Sequence, residues 1–340
     1  MIELIVNKNK EEKIIAIIEN GKLVEIYEEN EQSQKARNEG NIYLGIVKDI
    51  VPGMQAAFVD IGTEKNSFIH VKDIVPQVDE KVEKRIDTKI KEVAKVGQKI
   101  LIQIQKDSND KKGARTSTHI KLTGKYVVLM PNTNIVTISQ KIENESERER
   151  LLKIIRKALP ENTGAIVRTA AVKKNEEELN EDLEQLLSKW KKIKEKFDNA
   201  QVKSQLLYKS PSILEKIILD LPENRIEKII VNDKNEYKEI IETLKELDEK
   251  IKVEIHENIL EKYELEKQIE KSKQRKVWLN CGGFITIDQT EALVAIDVNS
   301  GKFTGKSTLE ETVYKVNYEA TIEIAKQLRL RDIGGIIIID

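Results

Sequence analysis

Two apolar segments that each end in an aspartate constrain the fold of this chain most strongly. Residues 293–297 read Leu-Val-Ala-Ile-Asp and residues 336–340 read Ile-Ile-Ile-Ile-Asp, with a helical pattern over 307–331 between them. A helix of that length can carry the chain across a sheet, so we expect the two strands to lie side by side and parallel. Asp297 and Asp340 would then meet at the carboxyl ends of these strands, where α/β sheets place their ligands.

A pair of aspartates at such a position favours a metal-dependent site. Two carboxylates that lie close together repel each other, and a hard divalent cation relieves this repulsion while it binds a substrate phosphate. Mg²⁺ suits the arrangement, because it takes one or two carboxylates and keeps several waters. The alternative is structural, since an acid after a buried strand often caps a loop or a helix. The residue pattern alone leaves both interpretations open.

The last strand is apolar throughout, which is typical of a strand in the centre of a parallel or mixed sheet. Ser307 and Glu310 form the pattern of a capping box at the start of the preceding helix. Because natural chains rarely end inside such a strand, we expect the 340 residues to be a truncated chain.

The first third of the chain predicts two small β-structures. Strands of an antiparallel meander are predicted at residues 2–6, 13–18 and 23–27. Four strands of a five-stranded OB-type barrel are predicted at residues 42–47, 56–62, 67–70 and 100–105, with the charged segment 76–97 as a crossover.

The middle of the chain predicts alternating strands and helices. The expected elements are a hairpin of 126–131 with 134–138, a helix from Glu143, a strand at 164–169, a helix over 176–199, strands at 227–231 and 251–255 around a helix near 236–249, and a helical stretch over 258–273. Ser210 and Pro211 predict the start of another helix, by the preferences for its N-cap and first position. The strands after residue 226 need a sheet partner, which the N-terminal meander can supply.

Composition excludes some classes of protein and leaves others open. With 340 residues and 39% hydrophobic content, the chain can bury cores in two or three domains. No apolar run reaches the ~18–20 residues that span a bilayer, so we expect a soluble, cytoplasmic protein. Cys281 is the only cysteine, which excludes an intrachain disulfide and a cysteine zinc cluster and favours a small core side chain.

The net charge of −1 argues against a nucleic-acid-binding protein, but the charge is unevenly distributed. Residues 84–125 contain twelve lysines and arginines and four acids. This segment can therefore form a positive face for phosphate groups.

Two runs near the end of the chain carry a family resemblance. They are Val-Trp-Leu-Asn-Cys-Gly-Gly-Phe-Ile-Thr-Ile-Asp-Gln-Thr-Glu-Ala-Leu-Val-Ala-Ile-Asp-Val-Asn-Ser-Gly at 277–301 and Arg-Leu-Arg-Asp-Ile-Gly-Gly-Ile-Ile-Ile-Ile-Asp at 329–340. They resemble the catalytic segment of the ribonuclease E/G family, and Cys281 with the Asp-Gln-Thr-Glu-Ala stretch is more similar to the ribonuclease G branch.

The resemblance implies a multidomain fold of the α+β and α/β classes, with an OB-fold RNA-binding barrel inserted in an RNase H-like subdomain. The implied segments are an RNase H-like part at 1–37, the OB fold at 38–120, a 5′-sensor domain at 121–209, a second RNase H-like part at 210–274 and an incomplete DNase I-like catalytic subdomain at 275–340.

The resemblance also implies the active site. Asp297, within an Ile-Asp-x-Asn motif, and Asp340 match the two aspartates that hold Mg²⁺ in the family, and Asn299 matches the asparagine that orients them. The implied reaction is metal-assisted hydrolysis of single-stranded RNA, which leaves 5′-phosphate and 3′-hydroxyl ends.

Residues with RNA-contacting roles follow from the same resemblance. Phe58 and Phe68 match aromatic residues that face RNA, although both rings could instead fill the barrel core. Lys106 and Lys112 match positions near the RNA backbone, although without the resemblance they would be ordinary solvated lysines.

A pocket for the 5′ end of RNA is implied as well. Gly124, Val128, Arg168 and Thr169 match it, and Arg168 could bind a terminal monophosphate through two hydrogen bonds. A triphosphate would overfill this pocket, so the resemblance implies a preference for monophosphorylated ends.

The resulting hypothesis is a Mg²⁺-dependent endoribonuclease that acts in ribosomal RNA processing and messenger RNA decay. The alternative is a non-catalytic RNA-binding protein or an inactive truncated fragment. The family's zinc-binding Cys-Pro-x-Cys segment and its dimerisation domain have no counterpart in the 340 residues. A homodimer or homotetramer is therefore expected of the full-length protein rather than of this chain.

Overall fold

The structure is a computed structural model that describes residues 1–10, 12–30, 38–74, 88–108, 112–221, 225–247, 249–301 and 309–340. The chain divides into two compact units, one made of residues 1–31 and 224–340 and the other of residues 32–223. In the described ranges, no helix is both long enough and apolar enough to cross a bilayer.

Strands and helices are numbered in chain order. The strands are β1 (Ile2–Lys8), β2 (Glu12–Glu19), β3 (Lys22–Asn30), β4 (Ile42–Val51), β5 (Ala56–Asp60), β6 (Ser67–His70), β7 (Lys99–Lys106), β8 (Arg115–Ser117), β9 (Leu122–Thr123), β10 (Val127–Pro131), β11 (Val136–Ile138), β12 (Thr163–Val167), β13 (Gln205–Tyr208), β14 (Ile226–Val231), β15 (Lys252–Ile255), β16 (Lys276–Trp278), β17 (Phe284–Gln289), β18 (Val294–Asn299) and β19 (Ile337–Ile339). The helices are α1 (Ile90–Val93), α2 (Glu145–Ala158), α3 (Glu176–Asn199), α4 (Ile213–Asp220), α5 (Lys234–Glu246), α6 (Ile259–Lys262), α7 (Leu265–Ser272) and α8 (Leu309–Leu330).

The N-terminal meander supplies the sheet that the later α/β segment needs. The strand order is β15-β14-β1-β2-β3, with β1 parallel to β14 and antiparallel to β2. Ile5, Ile18 and Ile230 are fully buried in the core of this sheet, together with Leu265 of α7. The predicted partnership between these distant parts of the sequence is confirmed. The predicted helical stretch 258–273 is instead two helices, α6 and α7, separated by Glu264 in a left-handed conformation.

Five strands close the predicted barrel. The order β4-β5-β6-β8-β7 is completed by pairing of β4 with β7, and β13 adds to the other edge of β4. Val59, Ile69 and Ile102 fill the interior. Gly45 lets β4 pack closely against the side chain of Val59 in β5, since a Cβ at position 45 would lie 2.4 Å from Cγ1 of Val59. Most of the predicted crossover 76–97 lies outside the described residues, which include only the short helix α1 in it.

The hairpin predicted for residues 126–131 and 134–138 is wrong. Both segments are strands, but β12 lies between them in a sheet of order β11-β12-β10-β9. Gly164 of β12 permits this arrangement, because a Cβ there would lie 2.2 Å from the carbonyl oxygen of Ile135. The long helix α3 has the predicted bounds and buries Leu179, Leu183 and Leu186 in the adjoining core.

The helix predicted to start at Ser210 begins later. Ser212 is the N-cap of α4, and its side chain accepts a hydrogen bond from the backbone N–H of Glu215, which completes a capping box. The backbone N–H of Ser210 donates to Oδ1 of Asn41 at 2.8 Å instead. Ser210 therefore anchors the incoming chain to the barrel rather than capping the helix.

The last sheet has the order β16-β17-β18-β19 and one face covered by α8. Ile285 and Ile296 of the sheet pack against Val316 and Ala320 of the helix. The prediction that the last strand is central is wrong for the described residues: β19 forms an edge of this sheet. The predicted N-cap Ser307 lies outside the described residues. The finer division into RNase H-like, 5′-sensor and DNase I-like subdomains stays a prediction.

Candidate active site

The structure brings Asp297 and Asp340 to neighbouring positions on parallel strands. In the register of β18 and β19, Ile296 is the partner of Ile339. The backbone N–H of Asp340 donates to the carbonyl oxygen of Ile296 at 2.9 Å, and that of Val298 donates to the carbonyl oxygen of Asp340 at 3.2 Å. The two aspartates therefore follow paired residues and share one face of the sheet, as expected for strands joined by a crossover helix.

Asn299 orients one of these carboxylates. Its side chain lies two positions beyond Asp297 in β18 and so emerges on the same face of the strand. The Nδ2 atom of Asn299 donates to Oδ2 of Asp297 at 2.8 Å. This hydrogen bond holds one oxygen of the carboxylate in place.

The donor set fits a hard divalent cation with a partly aqueous shell. Two exposed carboxylates and an amide supply only oxygen ligands, which Mg²⁺ prefers. Within the described ranges, no group of three or more His, Cys, Asp or Glu residues is arranged to hold a metal. Asp297 and Asp340 are the residues that would hold such an ion.

A third aspartate on the same face is already paired. Arg275 donates from Nη2 to Oδ2 of Asp288 at 2.6 Å, and Nε donates to the other oxygen. This pairing lowers the pKa of Asp288. It also raises the pKa of Arg275, with a smaller contribution from the negative charge of Asp297. Asp288 is thus tied to a guanidinium, whereas no ion pair of Asp297 is found among the residues that the structure describes.

The two barrel phenylalanines lie outside the barrel core. Phe58 of β5 and Phe68 of β6 are cross-strand partners, with ring centroids 6.0 Å apart in an edge-to-face arrangement. Both are partly exposed, whereas their strand neighbours Val59 and Ile69 are buried inside. The structure therefore contradicts the alternative that the two rings fill the core.

Phe58 and Phe68 begin a row of register partners on the outside of the barrel, called here the outer row, and basic side chains continue it. Arg115 of β8 is the register partner of Phe68 on one side and of Lys106 on the other. Its Nη2 atom donates to Oδ2 of Asp73 at 3.0 Å. Lys106 and Lys112 are both exposed. Arg115 was not singled out from the sequence, where it was one of twelve basic residues in its segment.

Three of the four residues assigned to the 5′ pocket, Gly124, Arg168 and Thr169, lie around the end of β12. Arg168 follows this strand, and its Nη1 atom donates to the carbonyl oxygen of Gly124 at 2.6 Å. Its Nη2 atom pairs with Oδ1 of Asp220 in α4. Thr169 shares a hydrogen bond with Ser139, with 3.2 Å between the two hydroxyl oxygens.

Val128 is placed differently from the other three. It lies within β10 as the register partner of Ile166 and Thr123 and is partly exposed. A hydrogen bond joins two of the four residues, Arg168 and Gly124.

A buried carboxylate that the sequence did not reveal holds the segment next to Gly124. Asp182 of α3 is 9% exposed and accepts hydrogen bonds from the backbone N–H groups of Lys125, Tyr126 and Val127 at 2.9, 2.8 and 2.9 Å. A Cβ at Gly124 would lie 2.5 Å from Oδ1 of Asp182. Asp182 therefore holds the segment whose carbonyl receives Arg168, and only glycine fits beside it.

These features together define a class of protein that combines an OB-type barrel, with aromatic and basic side chains outside, and an acidic pair on a separate sheet. The profile described as "S1 RNA binding domain" matches residues 37–119, and that described as "Ribonuclease E/G family" matches residues 121–340.

Known relatives agree with both profiles. Ribonuclease G of Salmonella typhimurium (strain SL1344) is 39% identical over 99% of this chain and 70% of its own length. Ribonuclease G of Haemophilus influenzae is 40% identical over 100% of the chain and 70% of its own length. Ribonuclease E of a Nostoc species is 38% identical over 88% of the chain and 44% of its own length.

The chain belongs to the ribonuclease E/G family, as its sequence motifs predicted. The family's characterised relatives carry the names of endoribonucleases, and the barrel is the S1 RNA-binding type of OB fold.

Proposed function

We propose that this chain is a Mg²⁺-dependent endoribonuclease that hydrolyses single-stranded RNA and leaves 5′-phosphate and 3′-hydroxyl ends. The observation that carries the proposal is the placement of Asp297 beside Asp340 on parallel strands, with Asn299 bonded to the first carboxylate. Membership of a family whose relatives are named ribonuclease G and ribonuclease E supports the same substrate class.

Each residue has a defined part in the proposed reaction. Mg²⁺ bound there would activate a water and offset the charge that develops on the phosphodiester. Asn299 holds the Asp297 carboxylate in one orientation, so that little reorganisation is needed when substrate arrives. Asp340 supplies the second negative charge from the neighbouring strand. Arg275 forms an ion pair with the ionised Asp288, so this third acid competes less for the cation.

A cleavage assay tests this function. A 5′-monophosphorylated single-stranded oligoribonucleotide is incubated with the chain in Mg²⁺ and in EDTA, and the new ends are identified by their phosphate content. We expect cleavage in Mg²⁺ only, with a 5′-phosphate on each downstream product and a 3′-hydroxyl on each upstream product. Cleavage that persists in EDTA contradicts the metal site, and RNA binding without cleavage in Mg²⁺ favours the non-catalytic alternative.

The outer row of the barrel is proposed to hold the RNA strand. Phe58 and Phe68 offer partly exposed rings to bases, while Arg115, Lys106 and Lys112 offer positive charge to phosphates. Such a surface binds without reading a particular sequence, since every base has a face that can stack.

Loss of one ring has a measurable consequence. Phe68→Ala is expected to weaken binding of a single-stranded oligoribonucleotide in EDTA by roughly 5- to 150-fold, because a stacked base contributes ~1–3 kcal/mol. Met54→Ala is a control in the same barrel, since its side chain is 56% exposed and has no role in the row. Equal affinities of the two variants, measured by fluorescence anisotropy, contradict the proposed surface.

We also propose that Arg168, with Gly124, Val128 and Thr169, senses a 5′-monophosphate. The Arg168 guanidinium already lies against a carboxylate, Asp220, whose two oxygens resemble those of a phosphate. A monophosphate would replace this carboxylate, while the Gly124 carbonyl keeps the guanidinium in place.

Opposite effects are expected from the two partners of this ion pair. Arg168→Ala should reduce the preference for monophosphate over hydroxyl 5′ ends by roughly ten- to a hundredfold, because it removes a charge-assisted bond. Asp220→Asn should strengthen the preference by up to about fivefold, since an exposed ion pair contributes ~0–1 kcal/mol. The measurement is kcat/KM on the two substrates. A preference that Arg168→Ala leaves unchanged would place the sensor elsewhere.

The biological setting is proposed from the family alone. We propose ribosomal RNA precursors and messenger RNA as substrates, the cytoplasm as the site of action, and dimers or tetramers with bound zinc for full-length family members.

A further inference from the structure

The sheet that carries the acidic pair also carries an exposed aromatic cluster that the proposed reaction does not use. Trp278 of β16 and Phe284 of β17 are register partners, with ring centroids 5.3 Å apart at an interplanar angle of 63°. The Trp278 side chain is 55% exposed. The Nζ atom of Lys276 lies 4.1 Å from the centroid of the Trp278 ring and 3.5 Å from that of Phe284.

The strand register connects this cluster to the acidic pair. Phe284 is the partner of Asn299 across β17 and β18, so Trp278, Phe284 and Asn299 form one row across three strands. Thr286 is the partner of Lys276 on one side and of Asp297 on the other. Cross-strand partners emerge on the same face of a sheet, so the rings and Asp297 share the face that α8 does not cover.

The distance between Trp278 and the strand that carries Asp297 and Asn299 suits a nucleotide that lies next to the cleaved bond. Neighbouring strands lie about 4.8 Å apart, so Trp278 lies two strands, or roughly 10 Å, from the row position of Asn299. Gly301, two residues after Asn299, lies close to the Phe284 ring, since a Cβ there would lie 3.1 Å from Cδ1 of Phe284. Phe284 thus lies between Trp278 on one side and the end of the acidic strand on the other.

The chemistry of the cluster favours RNA over an apolar partner. A tryptophan ring can stack with any base, and a lysine ammonium on the same surface can pair with the adjoining phosphate. Arg275 is committed to Asp288, but in the part of the chain that the structure describes no carboxylate forms an ion pair with Lys276. A positive charge beside an exposed aromatic ring is therefore available within reach of the acidic pair.

We propose that Trp278, Phe284 and Lys276 form a nucleotide subsite of the catalytic sheet. A base of single-stranded RNA stacks on Trp278, the ammonium of Lys276 pairs with its phosphate, and Phe284 supports the tryptophan ring. The inference rests on the proposed function in taking RNA as the ligand, and it adds the residues that hold the strand beside Asp297.

Tryptophan fluorescence tests the subsite without any cleavage. The chain has two tryptophans, so Trp190→Phe leaves Trp278 as the single reporter. We expect a single-stranded oligoribonucleotide to quench this emission in EDTA, and an abasic strand of the same length to quench it much less. Emission that stays constant when anisotropy shows RNA to be bound, or equal quenching by the abasic strand, overturns the proposal.

Kinetics supply a second readout. Trp278→Ala is expected to raise KM for a single-stranded substrate by roughly 5- to 150-fold with a smaller change in kcat, and Trp278→Phe is expected to retain most of the affinity. Tyr314→Ala is the matched control, because Tyr314 is 72% exposed and stacks on Tyr318 of α8 instead. A KM for Trp278→Ala equal to that of the control contradicts the subsite. Because quenching needs no catalysis, it separates a failure of this inference from a failure of the proposed nuclease activity.

Discussion

Asp297→Asn protein is expected to cut single-stranded RNA at least about a thousandfold more slowly than the unchanged chain while binding it with similar affinity. The substitution removes one of the two charges available to a cation and preserves the shape of the side chain. A metal ion contributes several kcal/mol to hydrolysis, and each ~1.4 kcal/mol is a factor of ten in rate. The measurement is the single-turnover rate at saturating RNA in Mg²⁺.

A matched control lies on the neighbouring strand. Asp288 shares the face of Asp297, but it is bonded to Arg275 and has no part in the proposed reaction. Asp288→Asn should therefore retain most of the activity. If Asp288→Asn and Asp297→Asn lose activity equally, the general charge of this face matters rather than a site at Asp297.

Asp182→Ala should lower the free energy of unfolding by about 3–5 kcal/mol. The substitution leaves three backbone N–H groups, at Lys125, Tyr126 and Val127, without their acceptor in a mostly buried place. Each unsatisfied buried donor costs ~1–3 kcal/mol, and partial access of water reduces the sum. Urea unfolding of the two proteins measures the difference.

The same change should also weaken the 5′ preference. Without Asp182, the segment that presents the Gly124 carbonyl to Arg168 is no longer held in place. Asp198→Ala is the control on the same helix, because Asp198 is 56% exposed and should change stability by less than about 0.5 kcal/mol. Asp182→Asn should lie between the two, since one oxygen remains to accept. Equal stability of Asp182→Ala and Asp198→Ala contradicts the assigned role.

Local sequence patterns were sufficient to predict an element where its hydrophobic periodicity was clear along its whole length. The helix over residues 176–199 was predicted with its bounds, because its leucines recur at helical spacing, and the structure adds that Asn175 caps it. The pairing of the last two apolar strands also followed from the sequence, because a long helix between two such strands leaves few topologies.

Prediction failed where a distant segment decided the outcome. Nothing local shows that β12 would come between β10 and β11, since the determining contact is that of Gly164 with the Ile135 carbonyl. Of two neighbouring serines, Ser212 caps the helix because Glu215 completes its capping box, while Asn41 binds Ser210. In the sequence, nothing distinguishes Asp182 from the other acidic residues of its charged helix.

The residues proposed for the active site show the same division. Asp297, Asn299 and Asp340 were predicted because a motif marks them. Trp278 and Lys276 were not, because their relation to Asp297 depends on the register of three strands. A sequence shows which side of its own strand a residue occupies, but it does not show which residues of other strands share that face.

Binding of a divalent cation tests the central claim most directly. Mn²⁺ is titrated into the chain without RNA and bound ion is followed by electron paramagnetic resonance, for the unchanged chain and for Asp297→Asn, Asp340→Asn and Asp288→Asn. The proposed site predicts one bound ion that is lost from the first two variants, retained in the third and displaced by Mg²⁺. Binding that is unchanged in Asp297→Asn and Asp340→Asn would contradict a metal centre formed by these two aspartates.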